Sequence, residues 1–297
     1  VTPRRVSSYF VPYVAPAEDT MATAGALSGT ALVVGGNRGL GIELVKGLIA
    51  KGLKVVATTR SPATELEGTG ATVINGIDVA EDDSGKKLVE ALKGSTVDTL
   101  IVNAGYFTTE TFEELNWEEN RKMYEICANG PLRVTQALVL AGNLSSGGKV
   151  ALITSEGGSI GLRQEKEGGA NYGHHMSKCA ENMMGRLLAW DIKPRGIGVV
   201  MLHPGFLRTT MTAHYSHLYD ELGAVPATTA VGPILKARRL GSRRPANTKF
   251  LNGITTSNTR TLNLTHVRST SSQFTSKYMN HSRAFALLCP APPPVLL

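Results

Sequence analysis

Residues 31–44 read ALVVGGNRGLGIEL, and the fold turns on how this stretch is understood. A short apolar, β-branched run leads into a glycine turn, which opens a segment of helical period. Gly35, Gly39 and Gly41 stand directly after the strand and at the start of the helix, with Asn37, Arg38 and Leu40 between them. Glycines allow a tight turn there and let backbone N–H groups approach a pyrophosphate at the positive end of the helix. A bare glycine triplet is a weak signal, but in a strand–turn–helix setting it points to a dinucleotide cradle.

Five more apolar runs follow: KVVATT (54–59), ATVINGI (71–77), VDTLIVN (97–103), GKVALITS (148–155) and GIGVVMLHP (196–204). Segments of helical period separate them. The alternation predicts an α/β fold, a doubly wound parallel sheet of Rossmann type in a single domain over residues 30–240. Residues 1–29 are rich in Pro, Ala, Ser and Thr, with no acid before Glu18, and read as a disordered leader or a transit-peptide remnant. Residues 241–297 are basic, dense in Ser and Thr and without apolar period, and read as a poorly ordered tail. Within that tail, NTKFLNGIT (247–255) has the composition of a final edge strand.

The formal net charge of +7 is unevenly spread. Residues 1–221 hold 21 Lys and Arg against 24 Asp and Glu, and the ten basic residues after Glu221 face no acid. The folded body is therefore slightly acidic, and no aromatic-interleaved basic patch marks a nucleic-acid partner. No run of 18 apolar residues predicts a membrane span. Cys127, Cys179 and Cys289 match no metal or disulfide spacing, which favours a reducing compartment. That compartment is the cytoplasm, or a plastid if the leader is a transit peptide.

The second strand should end near an adenosine ribose. An Asp there would accept from a free 2′-hydroxyl and repel a 2′-phosphate. This chain has Thr59 and Arg60 instead, with Arg38 inside the glycine turn. Guanidinium forks suit a phosphate, so NADP(H) is expected over NAD(H).

Further short motifs end the later strands: IDV with Asp78 and Val79, VNAG with Asn103, Ala104 and Gly105, ITSEGG with Ser155, and HPGFLRT with Pro204, Gly205 and Thr209. With GPLRVTQAL and MSK, they make residues 30–235 resemble the short-chain dehydrogenase/reductases, in particular the C-factor and sniffer-type carbonyl reductases. The resemblance implies hydride transfer to a small carbonyl substrate and assembly as a homodimer or homotetramer. It assigns the motif residues above to the cofactor, together with Lys178. It also implies a catalytic tyrosine four residues before a lysine, a serine that orients the carbonyl, and an asparagine in a proton relay.

Ser155 and Lys178 fit that pattern. Cys127 stands where the asparagine belongs, and Asn129 lies about 200° away on an α-helix. The tyrosine is displaced as well. In YGHHMSK (172–178), Tyr172 is six residues before Lys178, about 240° away modulo a turn, while His174 is four before and shares its face. The candidate catalytic set is thus Ser155, Lys178, His174 and Tyr172, with His174 in the acid's register and His175 expected at the surface. Two functions remain open: an NADP-dependent carbonyl reductase with impaired proton transfer, or a catalytically silent dinucleotide-binding protein that senses or scaffolds.

Overall fold

Four consecutive residues of β1 (Thr30–Val34), from Ala31 to Val34, are wholly buried. A strand with no solvent face must lie inside a sheet covered on both sides. It does so in the computed structural model, which describes residues 28–62, 64–163, 165–240 and 249–252. The leader read over residues 1–29 falls outside these, save for 28 and 29, as do 241–248 and 253–297 of the tail. β1 pairs in parallel with β2 (Lys54–Thr58) on one edge and β4 (Val97–Val102) on the other. β3 (Thr72–Ile74) extends the sheet beyond β2, and β5 (Leu144–Ile153) and β6 (Gly198–His203) extend it beyond β4. A separate ribbon joins β7 (Leu207–Arg208) to β8 (Val225–Pro226). The main sheet closes with β9 (Lys249–Asn252) beside β6, giving the order β3-β2-β1-β4-β5-β6-β9. All six expected runs are strands. The edge strand expected from NTKFLNGIT is present, inside the stretch read as tail.

Alternating side chains of the strands feed two cores. Ala31, Val33, Ile101, Ala151 and Ile153 pack with Leu44 and Leu48 of α1 (Gly39–Ala50). Their neighbours Leu32, Val34, Leu100, Val102 and Leu152 face the other layer, with Leu88 of α2 (Ser84–Leu92). Each fully buried Leu or Val stabilises the fold by about 1.5–3 kcal/mol relative to its exposed state.

Three more helices complete that second layer. α3 (Trp117–Tyr124) runs into a π-helical turn, Glu125–Asn129, and continues as α4 (Gly130–Leu140). α5 (Tyr172–Asp191) contributes Leu188 to the same core. α6 (Thr228–Leu240) returns to the α1 side through Ile234 and Leu235. Among the described residues, no helix is long and apolar enough to cross a membrane.

β9 has a testable weight. A chain ended at Gly241 loses it and opens the backbone edge of β6. Its melting temperature should fall by several degrees relative to a chain ended at Ser257, at about 2–4 °C per kcal/mol for a domain of this size. Equal melting temperatures would show that β9 contributes nothing.

Candidate active site

The chain leaves β1 towards β2 on one side and comes back as β4 on the other, so the helices that follow diverge and a crevice opens at the strand ends. A cleft of about 660 Å³ lies there, bounded by Val34, Asn103, Ile153 and His203 at the ends of β1, β4, β5 and β6. Its floor is the glycine turn. Gly35 has φ +80°, and a Cβ at position 41 would lie 2.1 Å from the Gly35 carbonyl oxygen, so side chains are excluded where the chain folds on itself. The Gly35 N–H donates to Thr58 Oγ1 at 3.2 Å, and Asn103 Nδ2 donates to Gly35 O at 2.8 Å. The first turn of α1 holds no acid, so its positive end stays uncompensated towards the cleft. Asn37, Arg38, Gly39 and Leu40 line the cleft; Gly41 lies beneath it.

At one end stand Thr59 and Arg60, with Asp78 and Val79 beside them. Arg60 is 3.7 Å from Asp78, with more than half of its side chain exposed. That contact is loose and solvated, and it leaves the guanidinium available to an anion. The opposite end gathers Ala104, Gly105, Pro204, Gly205 and Thr209. Asn103 also borders the cleft, and one N–H of its amide braces the glycine turn.

Ser155, His174 and Lys178 meet between these ends, and Tyr172 does not line the cleft. The start of α5 explains the difference. Ala170 and Asn171 adopt φ +70° and +50°, a region that non-glycine residues rarely occupy. The buried Glu110 holds them there: its carbonyl accepts the Asn171 N–H at 2.9 Å and its carboxylate accepts the Gly173 N–H at 2.7 Å. The helix therefore begins at Tyr172 and turns His174 inward, one turn before Lys178.

His174 is half-buried in the wall of the cleft. Burial, reinforced by the charge of Lys178, lowers its pKa to about 3, and its Nδ1 has no hydrogen-bond partner among the described residues. His175 is a correction to the surface position expected of it. It is half-buried, borders the cleft and makes a 3.0 Å hydrogen bond between Nδ1 and Gly157 O. Ser155 Oγ accepts the Gly157 N–H at 3.0 Å, which fixes its orientation at the end of β5.

Cys127 and Asn129 are separated by the wider π-turn rather than the α-helix assumed for them. Neither borders the cleft. Cys127 Sγ bonds the backbone of Tyr106, accepting from its N–H at 3.3 Å and donating to its carbonyl at 3.4 Å. Asn129 donates to Glu125 at 2.8 Å.

Several residues near the site carry no sequence signal of their own. Lys178 Nζ donates to Ile153 O at 3.0 Å and to Glu181 Oε2 at 2.7 Å, within the protein interior. Burial alone would lower the Lys178 pKa; the Glu181 carboxylate, with a part from Cys127, holds the ammonium above its ordinary value, while burial pushes the Glu181 carboxyl up against the pull of Lys178. His203 lies 3.5 Å from Glu156 at the rim. Phe107, which lines the cleft, stands edge-on to His174 and stacks on the exposed His214. In sequence, Glu181 is one more acid on an amphipathic helix, and only the i, i+3 spacing from Lys178 hints at the pair.

Comparison with known proteins agrees with this geometry. Residues 29–219 match the family model described as short chain dehydrogenase. The chain is 32% identical over 207 residues to a 1-hydroxy-2-glutathionyl-2-methyl-3-butene dehydrogenase from a Rhodococcus species, covering 69% of this chain and 88% of that protein. The C-signal protein of Myxococcus xanthus is 38% identical over 116 residues, covering 39% and 68%. An NADPH-bound carbonyl reductase from chicken fatty liver superposes with a TM-score of 0.65 at 26% identity, covering 75% of this chain and 91% of that one.

The neutral state of His174 has a consequence for stability. Its pKa is about 3 when folded against an ordinary 6.5, so unfolding takes up a proton between those values. The stability it contributes is complete above pH 6.5 and is lost as pH falls towards 3. Unfolding free energies measured from pH 7 to 4 should decline more steeply for the parent than for His174→Asn. Parallel curves would contradict the half-buried, neutral imidazole.

Proposed function

The chain belongs to the short-chain dehydrogenase family, and from that premise we propose that it is an NADP(H)-dependent oxidoreductase acting on a small carbonyl compound. The observation that carries the reading is that Ser155, His174 and Lys178 share one cleft with the glycine turn. The residues fit the dinucleotide: the turn leaves room only for glycine, the helix end above it is positive, and Arg38 and Arg60 lie where a 2′-phosphate would extend. Bound there, NADPH supplies the hydride.

The chain's own groups supply the rest. The Ser155 hydroxyl, held by the Gly157 N–H, donates to the carbonyl oxygen and orients it. Lys178 has three N–H donors, of which Ile153 O and Glu181 use two, leaving one for a ribose hydroxyl. His174 stands in the proton donor's register. The Phe107 ring beside His174 shields the oxygen that receives the proton from water. Exposed apolar side chains on α4 and α5, among them Leu140, Met183, Leu187 and Trp190, support a homodimer or homotetramer. The slightly acidic body argues against nucleic acid as a partner, and we assign the protein to the cytoplasm, or to a plastid should the leader act as a transit peptide.

A second reading, a silent dinucleotide-binding protein, draws on the same imidazole. With a pKa of about 3, His174 holds little proton to give at neutral pH, and the Cys127 thiol is committed to the Tyr106 backbone. Fluorescence titration with NADPH, followed by NADPH oxidation across a panel of aldehydes and ketones, separates the two. Binding with turnover supports the reductase. Binding with none across the panel supports the silent protein, and no binding sinks both.

Cofactor choice is testable at one residue. Arg60→Asp should weaken NADPH binding by about 10–100-fold, the worth of a charge-assisted hydrogen bond, and should favour NADH. Equal affinity of the parent for both cofactors would refute the assignment. The acid is testable at two. His174→Tyr should raise carbonyl reduction, with a ceiling of about 10²–10⁴-fold, while Tyr172→Phe changes little. Loss of all turnover in Tyr172→Phe without a gain in His174→Tyr would move the acid to Tyr172.

A further inference from the structure

Lys178 and Glu181 form an ion pair in the interior of the protein, 2.7 Å apart and one turn of α5 from each other. Glu181 is 1% exposed. Such a pair does little for stability, because desolvating two charges costs about as much as their attraction returns, and apolar residues of similar volume often serve as well. Its position beside the acid's register suggests a chemical role.

A phenol and an imidazole ask opposite things of a neighbouring cation. A phenol that gives up its proton becomes an anion, which a bare ammonium stabilises. An imidazole must first become a cation, which the same ammonium opposes. Position 174 holds an imidazole, and Lys178 lies one turn away on the same helix face. The Glu181 carboxylate bonds that ammonium directly. No other titratable group around the two takes its place: Cys127 from the π-turn is a buried thiol, and His175 on α5 is an imidazole. His203 at the end of β6 is another, and Glu156 pairs with it at the exposed rim.

We propose that Glu181 is a positioning residue that sets the charge at the acid's place. It offsets part of the Lys178 charge within α5, so that position 174 faces a partly compensated cation instead of a bare one. Its part in turnover rests on the reductase reading with His174 as donor, but the electrostatic claim stands on α5 alone. As hydride reaches the carbonyl carbon, the His174 imidazolium N–H breaks, the substrate O–H forms and neutral imidazole remains. Glu181 lowers the cost of loading that imidazolium. The same carboxylate would hold back a tyrosine placed at 174.

The test uses that last consequence. In His174→Tyr, the phenol at 174 is titrated by ultraviolet difference absorbance without cofactor, against His174→Phe carrying the same residue at 181. Adding Glu181→Gln should lower the phenol's midpoint by about one to three pH units, the effect of an opposite charge released nearby. Carbonyl reduction should rise with it. An unchanged midpoint overturns the proposal whether or not any variant reduces a carbonyl. A lowered midpoint with no reduction in any variant upholds it and counts against the reductase reading instead.

Glu181→Gln leaves a buried ammonium without its counter-ion, and a second variant covers a failure to fold. In the His174→Tyr background, K178M/E181L removes both charges together. Its midpoint should stay within about one pH unit of His174→Tyr alone, because a partly compensated cation has been exchanged for neutral side chains. A rise of several units would show Lys178 acting as a bare cation despite Glu181, and would overturn the proposal.

Discussion

The double pairing of β1 is the constraint on which the cleft depends. Hydrogen-bonded to β2 on one edge and β4 on the other, β1 sends the chain outward twice in opposite directions. The space above its end cannot be filled by either departing connection. Val34 sits in register with both Thr58 and Val102, so the turn after β1 is braced from both neighbours. The Gly35 N–H meets the Thr58 hydroxyl and the Gly35 carbonyl meets the Asn103 amide. An anion cradle built this way is stiff before any ligand arrives, and stiffness lowers the entropy cost of binding. Asn103 thus acts on a ligand through the glycine turn.

The start of α5 holds the second half of the site. Two consecutive non-glycine residues at positive φ are costly, each on the order of 1–3 kcal/mol, and persist only where surrounding bonds over-determine them. Glu110 supplies those bonds, accepting from the backbone of Asn171 and Gly173, and Asn120 approaches its other carboxylate oxygen at 3.4 Å. A carboxylate at the first turn also suits the positive end of the helix. The price of the strained entry is returned as register: one residue earlier or later and different side chains of α5 would border the cleft. That register is set from 61 residues upstream by hydrogen bonds, not by the helix sequence alone.

The ammonium of Lys178 does not stand alone in the interior. A lysine beside a tyrosine works as an uncompensated cation, but here the ammonium is met by a carboxylate and the acid's place is taken by an imidazole. The cysteine in the relay's register is likewise not a gap: its thiol is engaged with Tyr106 on both the donor and acceptor side. The cysteine is thus packed and bonded on its own terms, whereas the imidazole Nδ1 of His174 has no partner among the described residues.

What the sequence determined by itself was whatever depends on local pattern. Six apolar runs alternating with segments of helical period dictated a parallel sheet, because a strand buried on both faces must be apolar throughout. The glycines of residues 35–41 marked the turn, because no other residue fits there. The i, i+4 spacing of His174 and Lys178 put them on one face, because the helical repeat is the same in every protein. Tertiary structure decided what depends on partners distant in the chain. That Asn103 meets Gly35 follows from the pairing of β4 with β1, and that His175 closes over Gly157 and Glu181 is buried on Lys178 instead of solvated follows from how α5 lies on β6 and the turn after β5. A charge or an imidazole looks the same in sequence whether water or protein surrounds it, and only packing sets which of the two it meets.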